Sequence, residues 1–194
     1  MPNTTLHKVL LVIGDAVEAT DTLYPYFRVQ EDGYECVVIA PEKRVYQMVI
    51  HDPRPDWDLT EESKGYKLAS DLAFRDVDPD EYTGLVISGG RAPEYLRYDE
   101  DLMRITRSFC EKEKPVGVVC HGIEIVAAAD VIRGRNVTTV PKCRYDAEFS
   151  GATYLDQPVV VDGNMVCART FWDNAPWMRE FMKLLNAARD AADA

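Results

Sequence analysis

Short apolar runs that end at a glycine or a tight turn recur along this chain, and each is followed by a helical pattern. Such runs occupy residues 8–13, 85–88 and 116–119 and consist mainly of Val, Ile and Leu. Unbroken apolar runs of this length are typical of strands buried on both faces of a parallel sheet. The helical patterns that follow cover residues 18–32, 99–114 and 123–132. We therefore predict a three-layer α/β sandwich around a mainly parallel sheet.

The rest of the chain fits this architecture apart from one irregular stretch. Residues 35–40 predict another buried strand, residues 159–169 predict a β-hairpin, and residues 174–192 predict an amphipathic helix. Residues 41–80 carry several prolines and many charges, which indicates short hairpins or a surface excursion rather than a domain boundary. Because 194 residues is the size of one ordinary domain, we expect residues 1–194 to form a single domain.

Composition and charge narrow the range of partners and locations. Hydrophobic residues make up 46% of the chain and charged residues 28%, as in folded globular proteins. The formal net charge of −11 repels nucleic acid and anionic lipid, so we expect neither as a partner. No apolar run approaches the roughly 20 residues that span a bilayer. The polar residues 1–8 lack the pattern of a secretion signal, and we expect a cytoplasmic location.

Cysteine usage argues against disulfides and metals. The chain has an odd number of cysteines, with no CxxC pair and no histidine at a spacing typical of zinc sites. We therefore expect no disulfide framework, no metal and no cofactor. Cys36 and Cys110 are interpreted as core residues, whereas Cys143 and Cys167 stay undecided, with a structural role as the expectation.

Cys120 differs from the other cysteines because of its place at a strand-to-helix turn. The order apolar strand, Cys120, His121, Gly122, then helix is the plan of a nucleophile elbow, in which a sharp turn lifts the side chain out of the sheet. Gly122 allows the close backbone approach that such a turn needs. We expect the positive end of the following helix dipole to lower the pKa of the thiol. The sequence thus favours Cys120 as a catalytic nucleophile over a core residue.

The groups that could assist Cys120 are few. Of three histidines, His121 is the economical proton shuttle, His51 is the reserve candidate, and His7 lies in a polar tail. Gly90, which ends the strand at 85–88, could donate its backbone N–H, together with that of His121, to an oxyanion. A phosphate cradle is the weaker alternative, because neither glycine-rich phosphate motif is present.

Three acidic residues compete for supporting roles. Glu94 follows a strand end, and a carboxylate there could orient an imidazole, although most lone glutamates are solvated surface charges. Glu18 and Asp21 begin the first predicted helix, where the dipole alone favours acids, so helix capping is their alternative interpretation. A functional role requires one of these two to reach Cys120.

These features together resemble the ThiJ/PfpI superfamily, which is related to the class I glutamine amidotransferases. The similarity rests on the elbow at residues 118–122, on the Gly-Gly-Arg-Ala-Pro-Glu motif within residues 84–94, and on the opening strand with its acidic helix start. It extends over a core of about residues 8–185 and is closest to PfpI-type intracellular proteases and glyoxalase-III-like members. The resemblance implies a flavodoxin-like fold of the class I glutamine amidotransferase type.

The resemblance also implies roles for individual residues. Cys120 would be the nucleophile, His121 its acid/base partner, and the amides of Gly90 and His121 the oxyanion donors. In PfpI-type members the glutamate of the Gly-Gly-Arg-Ala-Pro-Glu motif orients the histidine from a neighbouring subunit. Glu94 would then act in trans within a homo-oligomer, a dimer, trimer or hexamer.

One position departs from the family pattern. The family places a glutamate against the sulfur, four residues before the proline of the first helix, and counting back from Pro25 reaches Asp21 instead. Either Asp21 acts with a shorter reach, or Glu18, one helical turn earlier, replaces it. We carry both residues forward as candidates.

The resemblance implies a cofactor-independent cysteine enzyme that acts on a small carbonyl or amide substrate or on peptides. Glyoxalase III, deglycase and peptidase or amidase chemistry all occur in the family, and the sequence does not choose among them. A cysteine-based redox or stress sensor is an alternative, because an exposed thiol of low pKa oxidises readily. A chaperone-like oligomer without turnover is another.

Overall fold

Seven strands form one central sheet in the computed structural model, which describes residues 7–194. The strands in chain order are β1 Lys8–Val12, β2 Glu35–Ala40, β3 Val45–Pro53, β4 Thr60–Ala69, β5 Leu72–Ala73, β6 Gly84–Ile87, β7 Val116–Val119, β8 Asn136–Val137, β9 Thr153–Tyr154, β10 Val159–Asp162 and β11 Met165–Ala168. The α-helices are α1 Ala19–Glu31, α2 Pro93–Leu96, α3 Glu100–Glu111, α4 Ile123–Ala128, α5 Arg144–Phe149 and α6 Asn174–Ala192. The polar residues 1–6, on which the expectation about a secretion signal partly rests, lie outside the described residues.

The strand order of the central sheet is β10-β11-β7-β6-β1-β2-β5. Every neighbouring pair is parallel except β10 and β11, which form the predicted hairpin. The α/β sandwich with a mainly parallel sheet is therefore confirmed. Because β1, β6 and β7 are adjacent and parallel, their carboxyl ends meet at one edge, where ligand sites form in such sheets.

The core explains why the strands have no polar alternation. Leu10, Leu85 and Val116 on the central strands have no exposed surface, since helices cover both sides of the sheet. α6 packs on α1, β7 and β11, while α3 packs on α4 and β6. Trp177 on α6 is fully buried and donates its ring N–H to the carbonyl of Val166 at 2.9 Å, so its polar group is satisfied inside the core.

For residues 41–80 the sequence predicts short hairpins or a surface excursion, and the structure differs from the first alternative. These residues contain one long antiparallel hairpin, β3 and β4, with a register irregularity between Gln47 and Val49. The amide of Val49 donates to the carbonyl of Val17 at 2.9 Å, and the amide of Ala16 donates to the carbonyl of Gln47 at 2.8 Å. The hairpin is thus fastened to the segment between β1 and α1, next to the sheet edge where β1, β6 and β7 end.

Some of the remaining helix and strand boundaries agree with the predictions, and others do not. The long C-terminal helix begins and ends as expected, but the helix predicted over residues 123–132 ends at Ala128. The short helix α5 and the two-residue strands β5, β8 and β9 were not predicted, because elements of this length carry too few residues for a periodic pattern. In the part of the chain that the structure describes, no helix is long and apolar enough to cross a membrane.

Candidate active site

Cys120 occupies a strained turn at the carboxyl end of β7. Its φ of +55° lies in the left-handed region, which residues other than glycine rarely adopt. A single 3-10 turn, Cys120–Gly122, connects β7 directly to α4. A β-carbon at Gly122 would stand 2.8 Å from the carbonyl oxygen of Ile87, so only glycine lets this turn press against β6. The backbone has the geometry predicted for a nucleophile elbow, and strain of this kind is concentrated at functional sites.

His121 faces Cys120 although the two residues are adjacent in sequence. The Sγ of Cys120 lies 3.3 Å from Nδ1 of His121, within contact distance for a thiol and an imidazole. Burial, and then the electrostatic influence of His51, lower the pKa of His121 below its usual value. The imidazole is therefore neutral at neutral pH and can accept a proton.

The expectation that the thiol of Cys120 has a lowered pKa is wrong for the resting chain. Burial is the main effect and raises the pKa of Cys120 well above its usual value, and Asp21, whenever it is ionised, raises it further. The backbone amides of His121 and Gly90 face the thiol and offset only part of this rise. Cys120 is only 6% exposed, so desolvation of a thiolate outweighs the favourable end of the short helix α4.

Two glycines allow the strand ends to approach one another around Cys120. A β-carbon on Gly89 would stand 2.6 Å from both Oδ2 of Asp21 and Cβ of Cys120. Gly90 has a φ of +79°, and a β-carbon there would stand 2.3 Å from a backbone nitrogen at the start of α1. The amides of Gly90 and His121 are the two predicted oxyanion donors, and both lie beside the sulfur. Their role in catalysis stays a prediction.

Asp21 and Glu18 are both buried, but they take different positions. A β-carbon added to Gly89 would stand 2.6 Å from Oδ2 of Asp21 and 2.6 Å from Cβ of Cys120. The distance between these two atoms is therefore at most twice 2.6 Å. Glu18 instead caps α1, because its carboxylate accepts the amide of Asp21 at 2.6 Å. Of the two candidates, the structure thus brings Asp21 next to Cys120 and gives Glu18 the capping position.

The environment of Asp21 is unfavourable for a charged carboxylate. Neither carboxylate oxygen has a hydrogen-bond partner of good geometry among the described residues. Burial, and then the neighbouring Glu18, raise the pKa of Asp21 well above its usual value, while Asn174 and the amide of Gly89 lower it only in part. Burial also raises the pKa of Glu18. A protonated Asp21 is therefore the favoured form, and it can donate a hydrogen bond.

A cleft of about 350 Å³ opens at His121. The hairpin β3–β4, the segment around α2 and the turn before α5 line it, with the residues His51, Leu59, Thr60, Glu62, Arg91, Glu94, His121 and Lys142. A larger apolar hollow of about 490 Å³ lies along α1 and includes neither Cys120 nor His121, so the smaller cleft is the one at the candidate site.

Glu94 lies in this cleft but does not bind His121 within the same chain. Its carboxylate contacts the guanidinium of Arg91 at 3.4 Å, and about half of its side chain is exposed. Its charge raises the pKa of His121 less than burial lowers it. A single chain therefore leaves Glu94 near the imidazole without a hydrogen bond, and its contribution from a neighbouring subunit stays a prediction.

Of the other two histidines, only His51 lies at the cleft. His7 contacts Thr83 and Asp193 at 3.2 and 3.1 Å, away from the cleft. His51 lies in the cleft and contacts Oε2 of Glu62 at 3.1 Å. The hairpin that carries His51 could not be placed over the site from sequence, because its position depends on the backbone bonds to the segment before α1.

One residue at the site was missed altogether. The hydroxyl of Thr139 donates to the carbonyl of Cys120 at 2.7 Å, which fixes the backbone of the strained turn. Thr139 follows β8 and is fully buried. No local pattern in the sequence marks it, since its partner is 19 positions away.

Comparisons with known proteins agree over nearly the whole chain. The DJ-1/PfpI family matches residues 7–184. The chain is 41% identical over 178 residues to "Deglycase TK1284" of Thermococcus kodakarensis, which covers 92% of this chain and 99% of that protein. It is 38% identical over the same length to "Deglycase PfpI" of Pyrococcus furiosus, with the same coverage. It is 34% identical over 185 residues to "Protein/nucleic acid deglycase 2" of Escherichia coli, which covers 93% and 98%.

Solved structures give the same fold. A two-domain protein from Anabaena variabilis with DJ-1/ThiJ/PfpI-like and ferritin-like domains matches with a TM-score of 0.80 and 28% identity, over 92% of this chain and half of that one. Schizosaccharomyces pombe DJ-1 matches with a TM-score of 0.74 and 17% identity over 95% of this chain and 97% of that one, which bears on the fold alone. The predicted resemblance is confirmed, and the chain belongs to the DJ-1/PfpI family.

Proposed function

We propose that this protein is a cofactor-independent cysteine enzyme of the deglycase type, with Cys120 as its nucleophile. The observation that carries the proposal is the strained turn at Cys120, whose sulfur lies 3.3 Å from the imidazole of His121 beside a cleft. The curated relatives named deglycases support the choice of substrate class, a small carbonyl compound attached to an amine or thiol. A reducing compartment such as the cytoplasm suits five free cysteines.

The first step is attack of sulfur on the carbonyl carbon. The resting thiol is neutral, so its proton must leave as the carbon–sulfur bond forms, and the neutral imidazole of His121 is placed to take it. The carbonyl oxygen gains negative charge in this step. The amides of Gly90 and His121 face this region and would stabilise that charge.

Asp21 fits a supporting role at the sulfur. Its protonated carboxyl would donate a hydrogen bond to the thiolate, which lowers the energy of the anion only after Cys120 ionises. For the adduct of methylglyoxal with an amine, addition of one water yields lactate and the free amine, so the overall reaction needs no redox partner. This agrees with the expectation of a cofactor-independent reaction.

A redox sensor fits the site less well than an enzyme. Peroxides react with thiolates, and burial holds Cys120 as a thiol. A sensor works best with an exposed sulfur of low pKa, whereas this sulfur ionises readily only with a proton acceptor and a bound substrate. We therefore keep the enzyme as the proposal.

Replacing Cys120 tests the proposal directly. The variant Cys120→Ser should release lactate and amine from a methylglyoxal–lysine adduct at least about 10³-fold more slowly than the unmodified protein, because the oxygen nucleophile is much weaker. Cys167→Ser is the matched control, since Cys167 is also buried but lies on β11. Full activity in Cys120→Ser would refute the nucleophile assignment. Parallel assays with fluorogenic peptides and free methylglyoxal distinguish peptidase and glyoxalase III activity.

We also propose that the protein is a homo-oligomer in which Glu94 completes the site of a neighbouring subunit. In support, Glu94 is half-exposed and forms no hydrogen bond with His121 of its own chain. Mixing Cys120→Ser subunits with Glu94→Gln subunits under conditions of subunit exchange should restore activity. Each chain then supplies the group that the other lacks. Mixed oligomers that stay inactive would show that each chain contains its own complete site.

A further inference from the structure

Three side chains that commonly bind metals meet beside the proposed nucleophile. A ring nitrogen of His121, a carboxylate oxygen of Glu124 and the Sγ of Cys143 all lie within 4.8 Å of one another. The Sγ of Cys143 contacts Oε1 of Glu124 at 3.6 Å, so the carboxylate already faces the thiol. We propose that His121, Glu124 and Cys143 form a binding site for a thiophilic divalent cation, with Zn²⁺ as the best match.

The donor set selects the type of ion. Thiolate, imidazole and carboxylate are all zinc ligands, whereas Mg²⁺ and Ca²⁺ prefer oxygen donors alone. Bonds of about 2.0–2.3 Å put the ligand atoms of a tetrahedral site about 3.3–3.6 Å apart. A spread of 4.8 Å therefore closes with side-chain movements on the order of 1 Å. Three protein ligands leave the fourth position to water.

Burial and charge around the cluster suit a dication. Cys143 and Glu124 are 3% and 7% exposed, so an ion between them is bound in a weakly polar environment. When the thiol releases its proton to solvent, the thiolate and the carboxylate carry two negative charges, which balance the ion. Arg97 contacts Oε2 of Glu124 at 3.2 Å and also Asp146 at 3.2 Å. Glu124 can therefore turn Oε1 to the ion without leaving Arg97 unpaired.

Access to this site is through the cleft. His121 lines the cleft and is the most exposed of the three ligands, so an ion arriving from solvent meets the imidazole first. The same imidazole lies 3.3 Å from the sulfur of Cys120. An ion bound to His121 repels the additional proton that catalysis requires the ring to take up. Reversible inhibition by the ion follows, and this consequence rests on the function proposed above.

Cobalt serves as the spectroscopic probe for the site. Titration of the metal-free full-length protein with Co²⁺ should produce a thiolate-to-cobalt charge-transfer band and tetrahedral ligand-field bands, saturating at one ion per chain. Zn²⁺ should abolish these bands by displacement. Absence of a charge-transfer band at saturating Co²⁺ would overturn the proposal.

Variants assign the ligands. Cys143→Ser should abolish the charge-transfer band, and Glu124→Gln, which keeps the shape of the side chain, should weaken Co²⁺ binding at least about tenfold. Cys167→Ser should leave the band unchanged, since that thiol lies outside the cluster. Circular dichroism of the metal-free variants checks their folding, and Glu124→Gln keeps the test decisive if Cys143→Ser does not fold. A band that persists in Cys143→Ser and disappears in Cys120→Ser would place the ion on the nucleophile and refute the site.

Turnover measurements test the proposed inhibition by the ion separately from the existence of the metal site. Addition of Zn²⁺ at the concentration that saturates the spectroscopic site should reduce turnover at least about tenfold, and a chelator should restore it. In Glu124→Gln the ratio of activities with and without Zn²⁺ should move toward one at that concentration. If Co²⁺ binds as described and Zn²⁺ leaves turnover unchanged, the metal site stands, and the assignment of His121 as proton acceptor fails.

Discussion

Folding buries the carboxyl group of Asp21, where its ionised form is unfavourable. The variant Asp21→Asn measures how much stability this burial costs as the pH rises. In the unfolded chain the group loses its proton near the ordinary pKa of 3.8. In the folded chain burial, and then Glu18, raise the pKa of Asp21 well above that value. Between the two pKa values the unfolded state binds fewer protons than the folded state, so the free energy of unfolding falls as the pH rises.

The expected size of this effect follows from the linkage relation. A group protonated in the folded state and ionised in the unfolded state lowers the free energy of unfolding by about 1.4 kcal/mol per pH unit. Asparagine does not ionise, so Asp21→Asn lacks this loss. The free energy of unfolding of the variant minus that of the unmodified protein should therefore increase by up to about 1.4 kcal/mol per pH unit above the ordinary carboxyl range, and become constant above the folded pKa.

Urea unfolding at steps from about pH 4 to about pH 8 provides the measurement. Asp32→Asn is a control of opposite sign, because a hydrogen bond from Arg28 lowers the pKa of Asp32. That pair stabilises the fold above the unfolded pKa, and Asp32 is ionised in both the folded and the unfolded state through most of this range. Asp32→Asn should therefore show a loss of stability that hardly changes with pH. Curves for Asp21→Asn and the unmodified protein that run parallel across this range would refute the reasoning. Asp21→Ala, which has no side-chain hydrogen-bond donor, should lower turnover, because nothing then stabilises the thiolate from this side.

Two further predictions concern the walls of the site. Gly90→Ala should lower the free energy of unfolding by about 2–4 kcal/mol in a urea titration, from left-handed strain and the clash with the start of α1. Gly33→Ala, which has a φ of +85° and open space around it, should lose only about 1–2 kcal/mol, and equal losses would exclude the clash. His51→Ala should shift the acidic limb of the pH–rate profile to higher pH, because His51 lowers the pKa of His121. An unmoved limb would show that His121 does not set it.

The periodic pattern of the chain was enough to predict the sheet and its long helices. Unbroken apolar runs at residues 8–13 and 116–119 became β1 and β7, and the amphipathic stretch at 174–192 became α6. These elements are long or strongly apolar, so burial determines their conformation locally. The two-residue strands and α5 carry no such pattern. They follow from the contacts that the larger elements offer, which no local stretch of sequence encodes.

The candidate site, like the fold, was predicted from sequence only where its features are local. The order strand, Cys120, His121, Gly122, helix predicted the elbow, because the turn chemistry lies within a few consecutive residues. The choice between Asp21 and Glu18 could not be made from sequence. Both are acids at one helix start, and only the close approach of the segment after β6, at Gly89, puts Asp21 next to Cys120. The pKa of Cys120 was wrongly predicted because burial depends on the whole core.

The sequence by itself determined the parallel α/β framework, the strand-to-helix turn at Cys120 and the family, since these depend on residues close together in the chain. Only the tertiary structure decided what surrounds the sulfur. It placed the hairpin with His51 at the cleft and brought Cys143 within reach of His121 and Glu124, where sequence spacing alone indicated no metal site. The physical reason is that tertiary packing brings distant segments to the end of β7, so Glu124 and Cys143, which are 19 positions apart, become neighbours.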